Sequence, residues 1–291
     1  MSDNFITRTR DGKYIYHKTG IRVSSEDMIR INRLRIPPSW TNVRIETDPT
    51  SYLQVTGVDK SGLTQYLYHP LWNQMTRHAK YDRIRRFCLL LPRFMKKVEG
   101  WSRECGVTGK IGIMFLILYK THIRVGNECY LNDYNTYGLT TLKKRHVILG
   151  VSPEVRFVFV GKKSVRQNLC LRDVVVYSYL KRELAGIKSG DTVFEGISAR
   201  TLNDYMQNHF GKEFTCKDFR TWGANRRFLD ICLSSGSAPT KKELGVIIEK
   251  VADYMGHTKA VCRSSYLADS IIDRYLSGKL DPVLQNNMLR L

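Results

Sequence analysis

Gln65-Tyr-Leu-Tyr-His-Pro70-Leu-Trp-Asn-Gln-Met-Thr-Arg77-His-Ala-Lys80-Tyr-Asp-Arg83-Ile-Arg85-Arg86 is the stretch where one hydrophobic period gives way to another. On its amino-terminal side Tyr66 and Tyr68 alternate with Gln65 and Leu67, the two-residue period of a strand. On its carboxyl-terminal side Ile84, Phe87, Cys88, Leu91, Phe94, Met95 and Val98 recur at helical spacing. The change near residue 78 predicts an α+β chain: a small β-rich domain over 1–77 and a larger, mainly helical one over 78–291.

Moving outward, Tyr14-Ile-Tyr, Val43-Arg-Ile-Glu and Tyr52-Leu-Gln-Val read as further strands, with turns at Asp48-Pro49 and Lys60-Ser-Gly. Asp27 to Leu34 reads as a short helix closed by Pro37-Pro38. Downstream, Pro92 is expected to kink or split its helix. Ile111 to Tyr119, apolar all round, reads as a buried helix. Val155–Val160 and Val165–Leu171 alternate around Gly161-Lys-Lys-Ser, a predicted β-hairpin. Further helices are expected at about 172–185, 198–209, 216–233, 241–255 and 259–277, two with capping boxes: Thr240-Lys-Lys-Glu243 and, in weaker form, Thr215-Cys-Lys-Asp218.

The 291 residues carry a net charge of +20. Residues 1–77 hold 11 basic and 7 acidic side chains, so +16 belongs to the helical part. Such an excess draws a protein to polyanions. The longest apolar stretch, Ile111–Tyr119, is far short of the roughly 20 residues of a membrane span, and Met1-Ser-Asp-Asn does not begin a signal peptide. The seven cysteines are scattered, without a C-x-x-C pair, and read as reduced thiols of an intracellular protein.

Singly, the candidate site residues are ordinary. Arg124 suits a structural ion pair, Lys162 a solvated hairpin tip, Arg220 a guanidinium laid on an aromatic, and His257 a helix C-terminus. Tyr266 is one of sixteen tyrosines. In order and in context they resemble the type IB topoisomerases. The resemblance runs through Arg124-Val-Gly-Asn with Tyr130, Tyr137-Gly-Leu-Thr-Thr-Leu, His146-Val, Phe159-Val-Gly-Lys162, Lys217-Asp-Phe-Arg220-Thr-Trp-Gly and Gly256-His257-Thr. Tyr266 follows nine residues beyond the histidine. It extends to Arg35-Ile-Pro-Pro-Ser-Trp-Thr, Leu53-Gln-Val-Thr-Gly and Gln65-Tyr-Leu-Tyr-His-Pro-Leu-Trp, and so covers nearly the whole chain.

The resemblance implies nicking of one strand of duplex DNA through a 3′-phosphotyrosyl intermediate, strand rotation and resealing. Tyr266 is the implied nucleophile, Arg124 and Arg220 forks on the non-bridging oxygens, His257 a hydrogen-bond donor to one of them, and Lys162 the acid for the departing 5′ oxygen. The phosphotyrosine stores the bond energy, so no cofactor, ATP or metal is expected. The chain accordingly lacks a Walker A loop and an obvious two-metal cluster.

Duplex DNA is the expected partner, held by a monomer shaped as a C-shaped clamp with a hinge near His78. Gln65, Tyr66, Tyr68, Arg77, Lys80, Tyr130, Lys217 and Asn225 are the expected DNA-binding residues, Gln65 by pairing with an adenine edge. Alternation puts Tyr66 and Tyr68 on one strand face and Gln65 on the other. A tyrosine recombinase shares much of the catalytic set. However, the amino-terminal matches and Lys217-Asp-Phe-Arg220-Thr, in place of His-x-x-Arg-His, argue against it. A non-catalytic DNA binder explains the charge but not the ordered series.

Overall fold

A computed structural model describes residues 4–128, 135–234 and 240–280. The chain divides into two compact units, Met1–Lys80 and Tyr81–Leu291.

The first unit is an antiparallel sheet of five strands: β1 (Phe5–Arg8), β2 (Tyr14–Tyr16), β3 (Thr41–Glu46), β4 (Leu53–Val58) and β5 (Thr64–Tyr68), ordered β2-β1-β3-β4-β5. Helix α1 (Ser25–Leu34) buries Ile31 with Ile6, Val43, Ile45 and Val55. Its start is fixed by Ser24, whose hydroxyl accepts from the Asp27 amide at 3.1 Å. Arg30 ties it to the sheet, donating to Gln54 Oε1 at 3.1 Å and the Glu46 carbonyl at 2.8 Å. Strand β1 goes beyond the sequence reading: four residues ending in Thr7-Arg8 carry too little pattern to stand out. The β5 alternation holds, with Tyr66 and Tyr68 exposed on one face.

Helix α2 (Pro70–Trp101) runs unbroken through both His78 and Pro92. The expected split at Pro92 is therefore corrected, and the segment near His78 is helical. Pro92 lies on the exposed side, between the buried Leu91 and Phe94. The proline ring thus meets no packed neighbour, while the apolar stripe on the other side is buried on both sides of it.

In the second unit α3 (Gly106–Thr121) buries every residue from Ile111 to Leu118, as its all-round apolarity predicts. The rings of Phe94 and Phe115 and those of Phe87 and Phe219 meet edge-on, and Phe115 meets Phe219 at a tilt. A three-stranded sheet, β6 (Val147–Leu149), β7 (Glu154–Gly161) and β8 (Val165–Arg172), contains the expected hairpin and adds one short strand. The helices α4 (Val174–Ala185), α5 (Ala199–His209), α6 (Asp218–Ser234) and α7 (Lys241–Met255) match their predicted spans to within about two residues. One half of each expected capping box is seen: Thr240 accepts from the Glu243 amide at 3.1 Å, and the Asp218 carboxylate from the Thr215 amide at 2.9 Å.

The helix expected over 259–277 is two, α8 (Lys259–Ser265) and α9 (Asp269–Leu276), parted at Tyr266-Leu-Ala268. The side chain of Asn225 on α6 makes the break. Its Nδ2 donates to the Tyr266 carbonyl at 2.8 Å, and its Oδ1 accepts from the Ala268 amide at 2.9 Å. These two bonds satisfy backbone groups that a continuous helix would have paired within itself. No helix among the described residues is long and apolar enough to cross a membrane.

Candidate active site

Three of the five expected catalytic residues are in direct contact. Arg220, one turn into α6, is 5% exposed and fixed from two sides. Nη1 donates to the His122 carbonyl and Nη2 to the Met255 carbonyl, the latter at 2.7 Å. Its guanidinium carbon lies 5.7 Å from the centre of the Tyr266 ring. His257 stacks on that same ring, centroids 4.6 Å apart and planes 15° off parallel. The local sequence explains the placement: Gly256 takes a left-handed conformation (φ 64°) that ends α7, and His257 follows at once. Tyr266 ends α8 at the break that Asn225 holds.

The electrostatics follow from burial among cations. Burial pushes the Tyr266 phenol up, but the charge and hydrogen bond of Arg220, with Arg124 and Lys217, outweigh it and hold the phenol below the ordinary tyrosine value. Burial first, then the charges of Arg220 and Arg124, lower His257 to about 4. Burial and the Arg124 charge lower Arg220 to about 10, still protonated at neutral pH. Both ring nitrogens of His257 are buried without a hydrogen-bond partner among the described residues.

Arg124 sits on the loop after α3, and the Tyr137–Leu142 motif holds that loop. The Arg124 carbonyl accepts from the Leu139 amide at 2.8 Å and that of Val125 from the Thr140 amide at 2.7 Å. Gly126 and Gly138 pass back to back: a Cβ on Gly138 would lie 2.5 Å from the Gly126 Cα. The glycines in both motifs thus serve the seating of Arg124. Lys162 stands at the exposed tip of the β7–β8 hairpin, beyond its last rung, Gly161 opposite Val165.

The model of the family described as "Eukaryotic DNA topoisomerase I, catalytic core" matches residues 71–278, and that described as "Bacterial DNA topoisomerase IB, N-terminal domain" matches 13–59. The chain belongs to the type IB DNA topoisomerases. It is 32% identical over 285 residues to the DNA topoisomerase 1B of Acanthamoeba polyphaga mimivirus, covering 90% of this chain and 84% of that protein. The DNA topoisomerase 1B of Vaccinia virus (strain Western Reserve) is 26% identical over 286 residues, 91% of this chain and 88% of that protein. The DNA topoisomerase 1 of Daucus carota is 28% identical over 153 residues, 52% of this chain but 19% of its own length.

The remaining expected residues of this topoisomerase fall into distinct settings. Tyr66 and Tyr68 are exposed and stack at 6.3 Å; Tyr68 continues to Tyr52, which meets Trp72 at 5.0 Å, making an aromatic row on the first unit. Gln65 donates one amide N–H to Asp59 Oδ2 at 2.8 Å. Arg77 and Lys80 are half-buried on α2. Lys217 is exposed, and its charge is felt at Tyr266. Tyr130 lies outside the described residues.

Asn225 is a correction: it is 1% exposed, with both amide atoms engaged at the α8–α9 break and Nδ2 also on the Thr221 carbonyl at 2.7 Å. It has no surface to offer DNA and instead positions the backbone of Tyr266. Arg83, from the basic run on α2, also turns inward, pairing with the buried Asp218 at 2.9 Å. The sequence does not mark Gln167 either. Its one signal is a polar residue in the inward row Gln167-Leu169-Leu171.

Proposed function

We propose that Tyr266 is the nucleophile with which this topoisomerase opens one strand of duplex DNA. The phenolic oxygen bonds to the backbone phosphorus as its proton leaves to water, and the bond from phosphorus to the 5′ oxygen breaks. Lys162 gives that oxygen its proton. The products are a 3′-phosphotyrosine and a 5′ hydroxyl. Arg124 and Arg220 hold the non-bridging oxygens and stay charged throughout. His257, neutral at physiological pH, adds a hydrogen bond without a charge. The 5′ hydroxyl then attacks the phosphotyrosine and restores both the strand and the phenol, so no net bond energy is consumed. The observation that carries this reading is the parallel stack of His257 on Tyr266 beside a guanidinium fixed by two backbone carbonyls.

The chain works as a monomer inside the cell. Residues 1–77 add to the DNA contact, the row through Tyr66 and Tyr68 facing the groove, and residues 78–291 carry the chemistry. Arg77, Lys80, Tyr130 and Lys217 contact the phosphates. Tyr266→Phe tests the core of this reading. Covalent adduct is expected to vanish from a nicked suicide duplex, while DNA affinity stays within about three-fold, because dispersed positive charge supplies the binding. A covalent adduct formed by the Phe variant would overturn the assignment.

A further inference from the structure

Gln167 is 6% exposed and sits two rungs from the end of the hairpin, opposite Phe159. Beyond it, Val165, Arg166 and the tip Lys162-Lys163-Ser164 are all exposed, and Lys163 and Ser164 both take left-handed backbone conformations (φ 61° and 56°). On β8, Gln167 is therefore the last buried side chain before the tip.

Its surroundings are unusual. The Cγ lies 3.0 Å from where a Cβ on Gly161 would be. The amide fills the space above Gly256: Oε1 and Nε2 lie 2.6 and 2.7 Å from where a Cβ there would be. Nε2 also donates to the Val165 carbonyl, two residues back on the same strand, at 3.5 Å. Gly161 precedes Lys162, and Gly256 precedes His257. One side chain thus lies wedged between the residues leading into two of the five site residues, and a Cβ at either glycine would crowd it.

We infer that Gln167 is a positioning residue for strand cleavage, setting the reach of the Lys162 arm by bracing its base against the Gly256-His257 turn. This rests on the reading of Lys162 as the acid for the 5′ oxygen. A proton donor must come within hydrogen-bond range of the oxygen it serves. A misplacement of about 1 Å costs as much as about a hundredfold in rate. Because the tip buries no side chain of its own, its aim is set where the arm meets the protein, and Gln167 is that junction.

The test is single-turnover cleavage of a suicide duplex by Gln167→Ala and Gln167→Asn, the latter drawing the amide back by one methylene while keeping it polar. On an ordinary phosphodiester the Ala variant is expected to cleave about tenfold or more slowly, and the Asn variant to a lesser degree, with DNA affinity unchanged. On a duplex whose 5′ bridging oxygen is replaced by sulfur, which leaves without protonation, both are expected within about twofold of the parent. In a Lys162→Ala background Gln167→Asn is expected to add no further loss. Undiminished cleavage of the ordinary duplex, or equal loss on both duplexes, overturns the inference. If sulfur fails to rescue Lys162→Ala itself, it is the general-acid reading that falls. The double variant still decides Gln167, since additive losses exclude action through the lysine whatever its role.

Discussion

His257 shows what burial among cations does to a single side chain. A free imidazole titrates near 6.5, but desolvation and the charges of Arg220 and Arg124 lower this one to about 4. The folded protein therefore holds it neutral across the physiological range, and the fixed positive charge at the site comes from the arginines. The sign for stability follows from the lowered value. As pH falls below about 6.5 the unfolded chain takes up a proton that the folded site refuses. The stability from this group is present above that pH and is lost as pH falls towards 4. In the free protein, the His257 ring resonances are expected to titrate with a midpoint near 4 and to stay flat between pH 6 and 8. A midpoint near 6.5 would contradict this account. The residue type and its place after Gly256 were legible in the sequence. The depressed pKa was not, because it depends on charges that arrive from Arg124 and Arg220, far away in the chain.

The elements divide along the same line between local and distant causes. The limits of α7 could be read from Thr240, Glu243 and Gly256 because caps are local chemistry. The hairpin could be read from its alternation, and α3 from its apolarity. The break between α8 and α9 could not, since Leu267 and Ala268 suit a helix well and the interruption comes from Asn225, some forty residues earlier. A similar distant constraint acts within α6. The His122 imidazole lies where a Cβ on Gly223 would have to go, and it stacks on Trp222 at 5.6 Å. His122 ends α3 in a left-handed conformation (φ 55°), and its carbonyl accepts from Arg220. Gly223→Ala, harmless to an isolated helix, is therefore expected to push His122 off its seat and with it the acceptor that aims Arg220. Overpacking of this kind costs about 1–3 kcal/mol, or a melting temperature lower by roughly 2–4 °C per kcal/mol at this size. Cleavage is expected to fall more than the modest loss of stability would explain. A variant with parental melting temperature and cleavage rate would show that the imidazole yields freely.

At the scale of the whole molecule the question is what happens between cutting and resealing. A net charge of +20 gives the chain a strong, non-specific hold on duplex DNA, with +16 of it in the part that carries the site. The five site residues all come from one chain, and Tyr266 lies against Arg220 and His257 of that same chain. On the proposed monomeric reading one protomer cleaves one duplex, and torsion in the DNA supplies the work of rotation about the intact strand. The purified protein is therefore expected to relax both negatively and positively supercoiled circles in EDTA without ATP. The initial rate should be first order in protein, and DNA affinity should fall steeply with added salt as counterions compete for the phosphates. Recombination by a tyrosine enzyme requires several protomers and two duplexes, so its rate climbs more steeply with concentration and paired target sites yield joined products. A second-order dependence of relaxation on protein, or joined products without relaxation of an ordinary plasmid, would contradict the monomeric mechanism while leaving Tyr266 as nucleophile. The protein-concentration series thus tests how the chain acts on DNA independently of which residues perform the chemistry.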